Sequence, residues 1–387
     1  MEAQSTSHKR IQWLAATLFV GIVAVLTACS PTTEFPVSVV PATCPECEEL
    51  VCPEPVRYED LWAASGHADA DAEAFTHWNE DDPQEIPVEC AKCHSKPGFI
   101  DFLGVDGTEA DRVDNPAIIG TSVTCFACHN EATDDLDSAV FPSGVKVRGL
   151  GPEARCIQCH QGRGSTSIVD TAIAELNLVE PDVPSAELSF INSHFTSGAT
   201  SFGSEVQGAY QYAGKTYNGR YKRGEEFFAC VRCHDQHSLE LNFEICHDCH
   251  TIAEAEPKDI RVDTTDYDGD GDITEGIAFE ISAFHEALYE AIQVYAAQVV
   301  GVPIVYDRNS YPYFFIDTNG NGEVDPDENL VSNRYNAWTP RLLRAAYNYN
   351  YVAHDLGAYA HNSDYILQVS FDSLADLDGD VAGMSRP

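Results

Sequence analysis

Cys156-Ile157-Gln158-Cys159-His160 decides how this chain folds, because the same spacing returns four more times. The other copies are Cys90-Ala91-Lys92-Cys93-His94, Cys125-Phe126-Ala127-Cys128-His129, Cys230-Val231-Arg232-Cys233-His234 and Cys246-His247-Asp248-Cys249-His250. Together they use ten of the fourteen cysteines. Random placement of 14 Cys and 14 His in 387 residues expects (14/387)³ × 383, roughly 0.02 copies of such a segment.

The spacing has a chemical reading. Two thiols three positions apart form thioethers to the two vinyl groups of one haem. The next residue, an imidazole, then lies under the iron as an axial ligand. The attachment cysteines are thus Cys90, Cys93, Cys125, Cys128, Cys156, Cys159, Cys230, Cys233, Cys246 and Cys249. The proximal ligands are His94, His129, His160, His234 and His250. A single Cys-x-x-Cys also reads as a disulfide, a redox dithiol or half a zinc site. Zinc would want a second thiol pair, or paired histidines at finger spacing. It has no use for His directly after the second Cys, five times over. Five haem c groups are therefore expected.

The amino terminus gives an address. Lys9 and Arg10 precede an apolar run from residue 11 to 26, too short to span a bilayer well and normal for a signal-peptide core. The run ends Leu26-Thr27-Ala28-Cys29, which resembles a bacterial lipobox; an ordinary signal peptide with Cys29 incidental is the alternative. Residues 1–28 read as a lipoprotein signal peptide and Cys29 as the lipidated residue. Haem attachment occurs outside the cytoplasm, so address and motifs agree. The expected localisation is extracytoplasmic, on the periplasmic or cell-surface side of a bacterial membrane. Residues 29–56 form a Pro-rich linker, with Pro31, Pro36, Pro41, Pro45, Pro53 and Pro55. Its Cys44, Cys47 and Cys52 carry no haem spacing and would give one disulfide and one spare thiol.

The motifs divide the remainder. Residues 57–250 read as a pentahaem domain with a haem-free insertion at 166–225. In it Tyr210-Gln211-Tyr212-Ala213-Gly214-Lys215-Thr216-Tyr217 alternates like a hairpin. Residues 251–387 read as a helical region with calcium loops, packed on the haem domain. A helical face at Ile281, His285, Leu288, Ile292 and Val299 predicts a helix over 280–300. The fold class expected is mainly α with much irregular structure, organised around five covalent haems, whose bulk fills much of the interior. A formal net charge of −40 argues against nucleic acid and anionic membrane surfaces as partners, and fits solubility, calcium or a basic redox partner.

Each iron takes a second axial ligand unless it is meant to react. Distal candidates are His67, His77, His194, His237 and His361, with His285, His247 and His354 in reserve. His237 stands too close to His234 to serve the same iron and suits a neighbouring haem. His285 could meet an iron, a propionate or a backbone carbonyl.

Residues 317–328 fit the twelve-residue calcium loop. Asp317, Asn319, Asn321, Asp325 and Glu328 supply side-chain oxygens, Glu323 a carbonyl, and Gly322 occupies position 6. The flank 311–316 reads as strand, so this is no standard helix–loop–helix. A second loop offers Asp266, Asp268, Asp270 and Asp272 but has Ile277 at position 12; Glu275 or Glu280 could substitute.

These motifs, with Ser65-Gly66-His67-Ala68 and Ala360-His361-Asn362, resemble the multihaem c-type cytochromes, in particular the lineage of pentahaem nitrite reductase, hydroxylamine oxidoreductase and cytochrome c554. In that lineage, histidines in such settings are distal ligands. Many pentahaem nitrite reductases use a Cys-x-x-Cys-Lys motif on the catalytic haem, whereas all five motifs here end in His. The resemblance therefore makes electron transfer the default; with the lipobox at Cys29 the chain reads as a lipid-anchored electron carrier with mostly bis-His haems and redox protein partners, and a subunit wiring a larger redox complex is a third reading. The alternative is an oxidoreductase acting on a small nitrogen or sulfur oxyanion at one five-coordinate haem.

Overall fold

Short helices carry the Cys-x-x-Cys-His segments. This computed structural model describes residues 57–221, 230–250 and 256–387. The first segment lies on α1 (Val88–His94) and the third on α2 (Glu153–His160). The second and fourth lie on single turns, Cys125–Cys128 and Cys230–Cys233, and the fifth starts in the 3-10 turn Phe243–Asp248. One turn suffices because it sets two thiols three positions apart on one face. The backbone then leaves the helix; Ser95, just past His94, is extended.

Four helices position these segments: the short α3 (Ser197–Phe202) and the long α4 (Ile277–Tyr295), α5 (Pro340–Ala353) and α6 (Ala358–Asp376). Thr339 caps α5 by accepting the Leu342 N–H at 3.0 Å, and Pro340 fits the first turn, where no donor is needed. α6 packs on α3, α4 and α5. It kinks at Asn362 (φ −170°, ψ 78°), whose buried amide donates to the carbonyls of Thr200 and Gly219 at 3.2 and 3.0 Å. Three two-stranded antiparallel ribbons complete the regular structure: Glu85–Ile86 with Ala117–Ile118, Ser138–Val140 with Lys146–Arg148, and Ile304–Tyr306 with Phe314–Ile316. The architecture is mainly helical with long irregular connections. Among the described residues, no helix is long and apolar enough to cross a membrane.

The core is uneven. One large cluster joins Phe284, Leu288, Ile292, Leu342, Tyr347, Tyr351, Tyr365 and Val369 from α4, α5 and α6. Residues 57–136 have only two small clusters, around Trp78 and Ile86 and around Phe99 and Leu103. So little apolar side-chain volume suits a segment built around large covalent groups.

Several sequence expectations meet the structure here. The predicted helix over 280–300 is α4 plus a π turn at Ala296–Val300; Ile281, Leu288 and Ile292 are buried, but Val299 is exposed. The hairpin at residues 210–217 is not formed. The amide of Asn348 on α5 pairs instead with both Tyr210 backbone groups, at 2.6 and 2.9 Å, and so takes the place of a partner strand. Residues 166–221 are woven into the body, with α3 packed on α2 and α6. The expected signal peptide at residues 1–28, Cys29 and the linker thiols lie outside the described residues.

Candidate haem and calcium sites

The third motif is the centre of the cluster. Glu153, at the start of α2, accepts the Cys230 backbone N–H and so ties the third motif to the fourth. Arg155 reaches Asp134 beyond the second motif at 3.4 Å. The Cys159 thiol meets the Cys93 thiol, and the Cys156 thiol meets that of Cys230. The contact with Cys159 draws the Cys93 thiol down to about 7. Burial and the Cys93 partner push Cys159 well above the usual thiol range. Four motifs are thereby gathered around α2, and the fifth packs beside the fourth.

Imidazoles from distant parts of the chain face the proximal ones. His94 faces His194 with centroids 5.6 Å apart at 58°; His160 faces His67 at 6.3 Å and 36°. His129 lies parallel to His237 at 6.1 Å and 3°. Two imidazoles on opposite sides of one metal, each nitrogen about 2 Å from it, set their centroids about 6 Å apart. His361 stands close enough to His234 to depress its pKa, after burial. The charge state also fits. Burial, then neighbouring imidazoles, lowers His160 to about 4 and His194 to about 3, so both rings are neutral at pH 7, as ligands must be.

Partners on the far nitrogen aim several rings. His94 Nδ1 donates to the Ala74 carbonyl at 2.7 Å. His361 Nδ1 donates to the Asp355 carboxylate at 2.7 and 2.9 Å. Each leaves Nε2 free for a metal. His194 sits in the left-handed region (φ 62°), which a residue with a Cβ keeps only when its surroundings hold it there. Asn350 holds it there by accepting from the Ser193 backbone N–H and hydroxyl at 3.2 and 2.7 Å. The His67 turn is fixed by Trp62, whose indole donates to the Val123 carbonyl at 2.8 Å, and by the Val123 N–H on the His67 carbonyl at 3.1 Å. A Cβ at Gly198 would stand 2.8 Å from the His160 carbonyl, so only glycine lets α3 close on the end of α2.

The donor set and its surroundings fit haem. His160 is exposed by surface area, although enough protein surrounds it to lower its pKa; it lines a hollow. Phe126, Phe195, Leu241 and Phe243 flank the motifs with 44–50% of their surface open, which is apolar wall for a porphyrin.

The other histidines are engaged elsewhere. His77 donates from Nδ1 to Glu73 at 2.8 Å and packs edge-on against Trp78, and it is His194 whose ring faces His94. His285 donates to the Tyr349 carbonyl at 3.0 Å and stacks on that ring at 4.0 Å. His354 donates to the Asn350 carbonyl at 2.9 Å, and His247 is exposed. Asp355, Asn350 and Glu153 carry no local sequence signal. Their roles arise from contacts across the fold.

The two acidic loops share one scaffold. Asp317 accepts the N–H groups of Gly320 and Gly322 at 2.6 and 2.9 Å, and Asp266 those of Gly269 and Gly271 at the same distances. Asn319 and Asn321 repeat the pattern two residues on, as do Asp268 and Asp270. Buried Glu328 accepts from the Thr318 N–H, the second loop position. In the other loop Glu280 accepts from the Tyr267 N–H, also position two, at 2.9 Å. Glu280 thus stands where Ile277 left position 12 without a carboxylate, and groups with Asp266 and Asp268; Glu275 groups with Asp268 and Asp270. Asp272 caps Thr274 at the exposed rim. Glu323 and Asp325 lie in the first loop, with Asp325 accepting from the amides of Asn319 and Asn321.

Gathered motifs and facing imidazoles define a class, the multihaem c-type cytochromes, and comparison with known proteins supports it. The family described as cytochrome c7 and related cytochrome c matches residues 73–169, the stretch with the first three motifs. The C-type polyheme cytochrome OmcC of Geobacter sulfurreducens is 27% identical over 376 residues, covering 80% of this chain and 45% of its own length. The C-type polyheme cytochrome OmcB, from two strains of that species, is 25% identical, covering 79% of this chain and 46% of its own. The chain therefore spans less than half the length of these curated relatives. No solved structure shows significant similarity. Haem c is the cofactor these findings support.

Proposed function

We propose that the protein is a pentahaem electron-transfer cytochrome, tethered outside the cytoplasm through Cys29. The observation that supports it best is the set of three facing imidazole pairs, each joining a motif histidine to a distant one. In this reading His67, His194, His237 and His361 are distal ligands to the third, first, second and fourth irons. Haem c supplies a reversible one-electron iron couple, tuned by axial ligands, burial and charge. The chain's part is to hold four attachment sites around α2 in mutual contact and to aim their imidazoles, with burial favouring the neutral form of His94, His160 and His234. The settings of His67 and His361 are those the nitrite reductase and hydroxylamine oxidoreductase resemblance implies. Redox proteins, and a larger redox complex, are the proposed partners. Five haems per chain, by intact mass and by the absorption of the reduced pyridine complex, test this reading. Fewer than five in fully matured protein would contradict it.

The same proposal gives the two acidic loops structural calcium, with Glu328 and Glu280 as the closing carboxylates. Calcium binds only the folded loops, so at one hundred times the dissociation constant it stabilises by about 2.7 kcal/mol. Chelation is expected to lower the melting temperature, and Glu328→Gln to remove the first loop's share of that calcium response. A melting temperature indifferent to chelator would remove calcium from the account.

A further inference from the structure

We propose that the fifth haem, anchored at Cys246 and Cys249, has an open distal side and binds a small exogenous ligand there, of the size of carbon monoxide, cyanide or nitrite. This rests on the pentahaem reading and names which iron is free to react.

The inference follows from a complete count of the candidates. Thirteen histidines lie in the described residues, and the other, His8, precedes the attachment domain. His67, His194 and His237 face the third, first and second proximal rings, and His361 stands by His234. His285 is held through Nε2 by the Tyr349 carbonyl, and His77 and His354 stand by the first pair, His77 on Trp78 beside His94 and His354 against Phe195 next to His194. His247 stands between the two cysteines of the fifth motif, on the same side of that haem as His250, so it cannot cross to the distal face. Among the described residues, no imidazole is therefore left to face His250. Methionine does not fill the gap. Met384 packs against the main core, and Met1 begins the expected signal peptide.

Position agrees with the count. No residue of the Phe243–Asp248 turn is buried, and the motif sits at the outer end of the cluster, beside the fourth. A six-coordinate array with one exposed, five-coordinate terminus is the arrangement that lets a small molecule meet stored electrons. Beside it, Val231, Arg232, Asn242, Glu244, Ile245 and Asp248 line a hollow of about 490 Å³ between the fourth and fifth motifs.

The test uses the full haem-loaded protein and a variant carrying Cys246→Ser and Cys249→Ser. Haems are counted first. Carbon monoxide is then titrated into the reduced protein and cyanide into the oxidised protein, followed by absorption. The expected result is five haems with one carbon monoxide per chain, and in the variant four haems with none. Five haems and no ligand uptake overturns the open site while leaving the pentahaem reading intact. Uptake that survives in the variant assigns it to another iron and also overturns the proposal. Uptake that appears only on dilution overturns it too, because the sixth position is then filled by a second copy of the chain. A count below five contradicts the pentahaem reading itself.

Discussion

Serine at both Cys156 and Cys159 is expected to leave four haems and no continuous path from the first motif to the fourth. The first motif meets the third through the Cys93 and Cys159 thiols, and the fourth meets it through Cys230 and Cys156. Nothing comparable joins the first motif directly to the fourth among the described residues. The stability cost should be large. Residues 57–136 own only two small apolar clusters, so their packing depends on the attached groups. The loss should exceed about 5 kcal/mol, the upper range for truncating one large core side chain. The control is the same exchange at Cys125 and Cys128. It also removes one haem, but the second motif stands beside the third rather than between two others, so reduction across the remaining four should persist. Stopped-flow reduction and thermal melts of both variants separate the cases. Equal losses in the two would contradict a central third haem.

The second large effect is expected at Asp355. Burial alone would push its carboxyl up, but the contact with His361 outweighs burial and holds it below the usual range, so it is ionised at pH 7. That buried anion makes His361 a stronger electron donor at Nε2 and favours ferric iron. Asp355→Asn keeps the shape and the acceptor and removes the charge. Loss of such an outer partner costs 10–100-fold in metal affinity. If the loss falls on the ferric state, one of the five midpoint potentials should rise by about 60–120 mV, at about 59 mV per tenfold for one electron. Potentiometric titration reads this directly. Absence of any shifted component would show that His361 is not an iron ligand.

Much of the chemistry was legible in the sequence because it is local. Two thiols and an imidazole within five positions need only one turn of helix, and the first acidic loop needs twelve consecutive residues. The α4 face could be read from its period, although Phe284, fully buried, lay off the chosen stripe. What could not be read is non-local. Nothing near His67, His194 or His361 says which proximal ring it will face; the kink at Asn362, the left-handed turn at His194 and the Trp62 anchor decide that. The Tyr210–Tyr217 alternation suggested a strand pair, but an asparagine from α5 satisfied the backbone first. Glu280 closes the second acidic loop three residues late because α4 begins at Ile277 and presents it from the first turn.

Magnetic circular dichroism of the oxidised protein, across single His→Ala variants, tests the pairing of the imidazoles most directly. Replacing His67, His194, His237 or His361 should each convert one low-spin bis-imidazole haem to high-spin. Replacing His77, His285 or His354 should leave every ligation unchanged. A change of ligation in the second group, or none in any member of the first, would contradict the arrangement described.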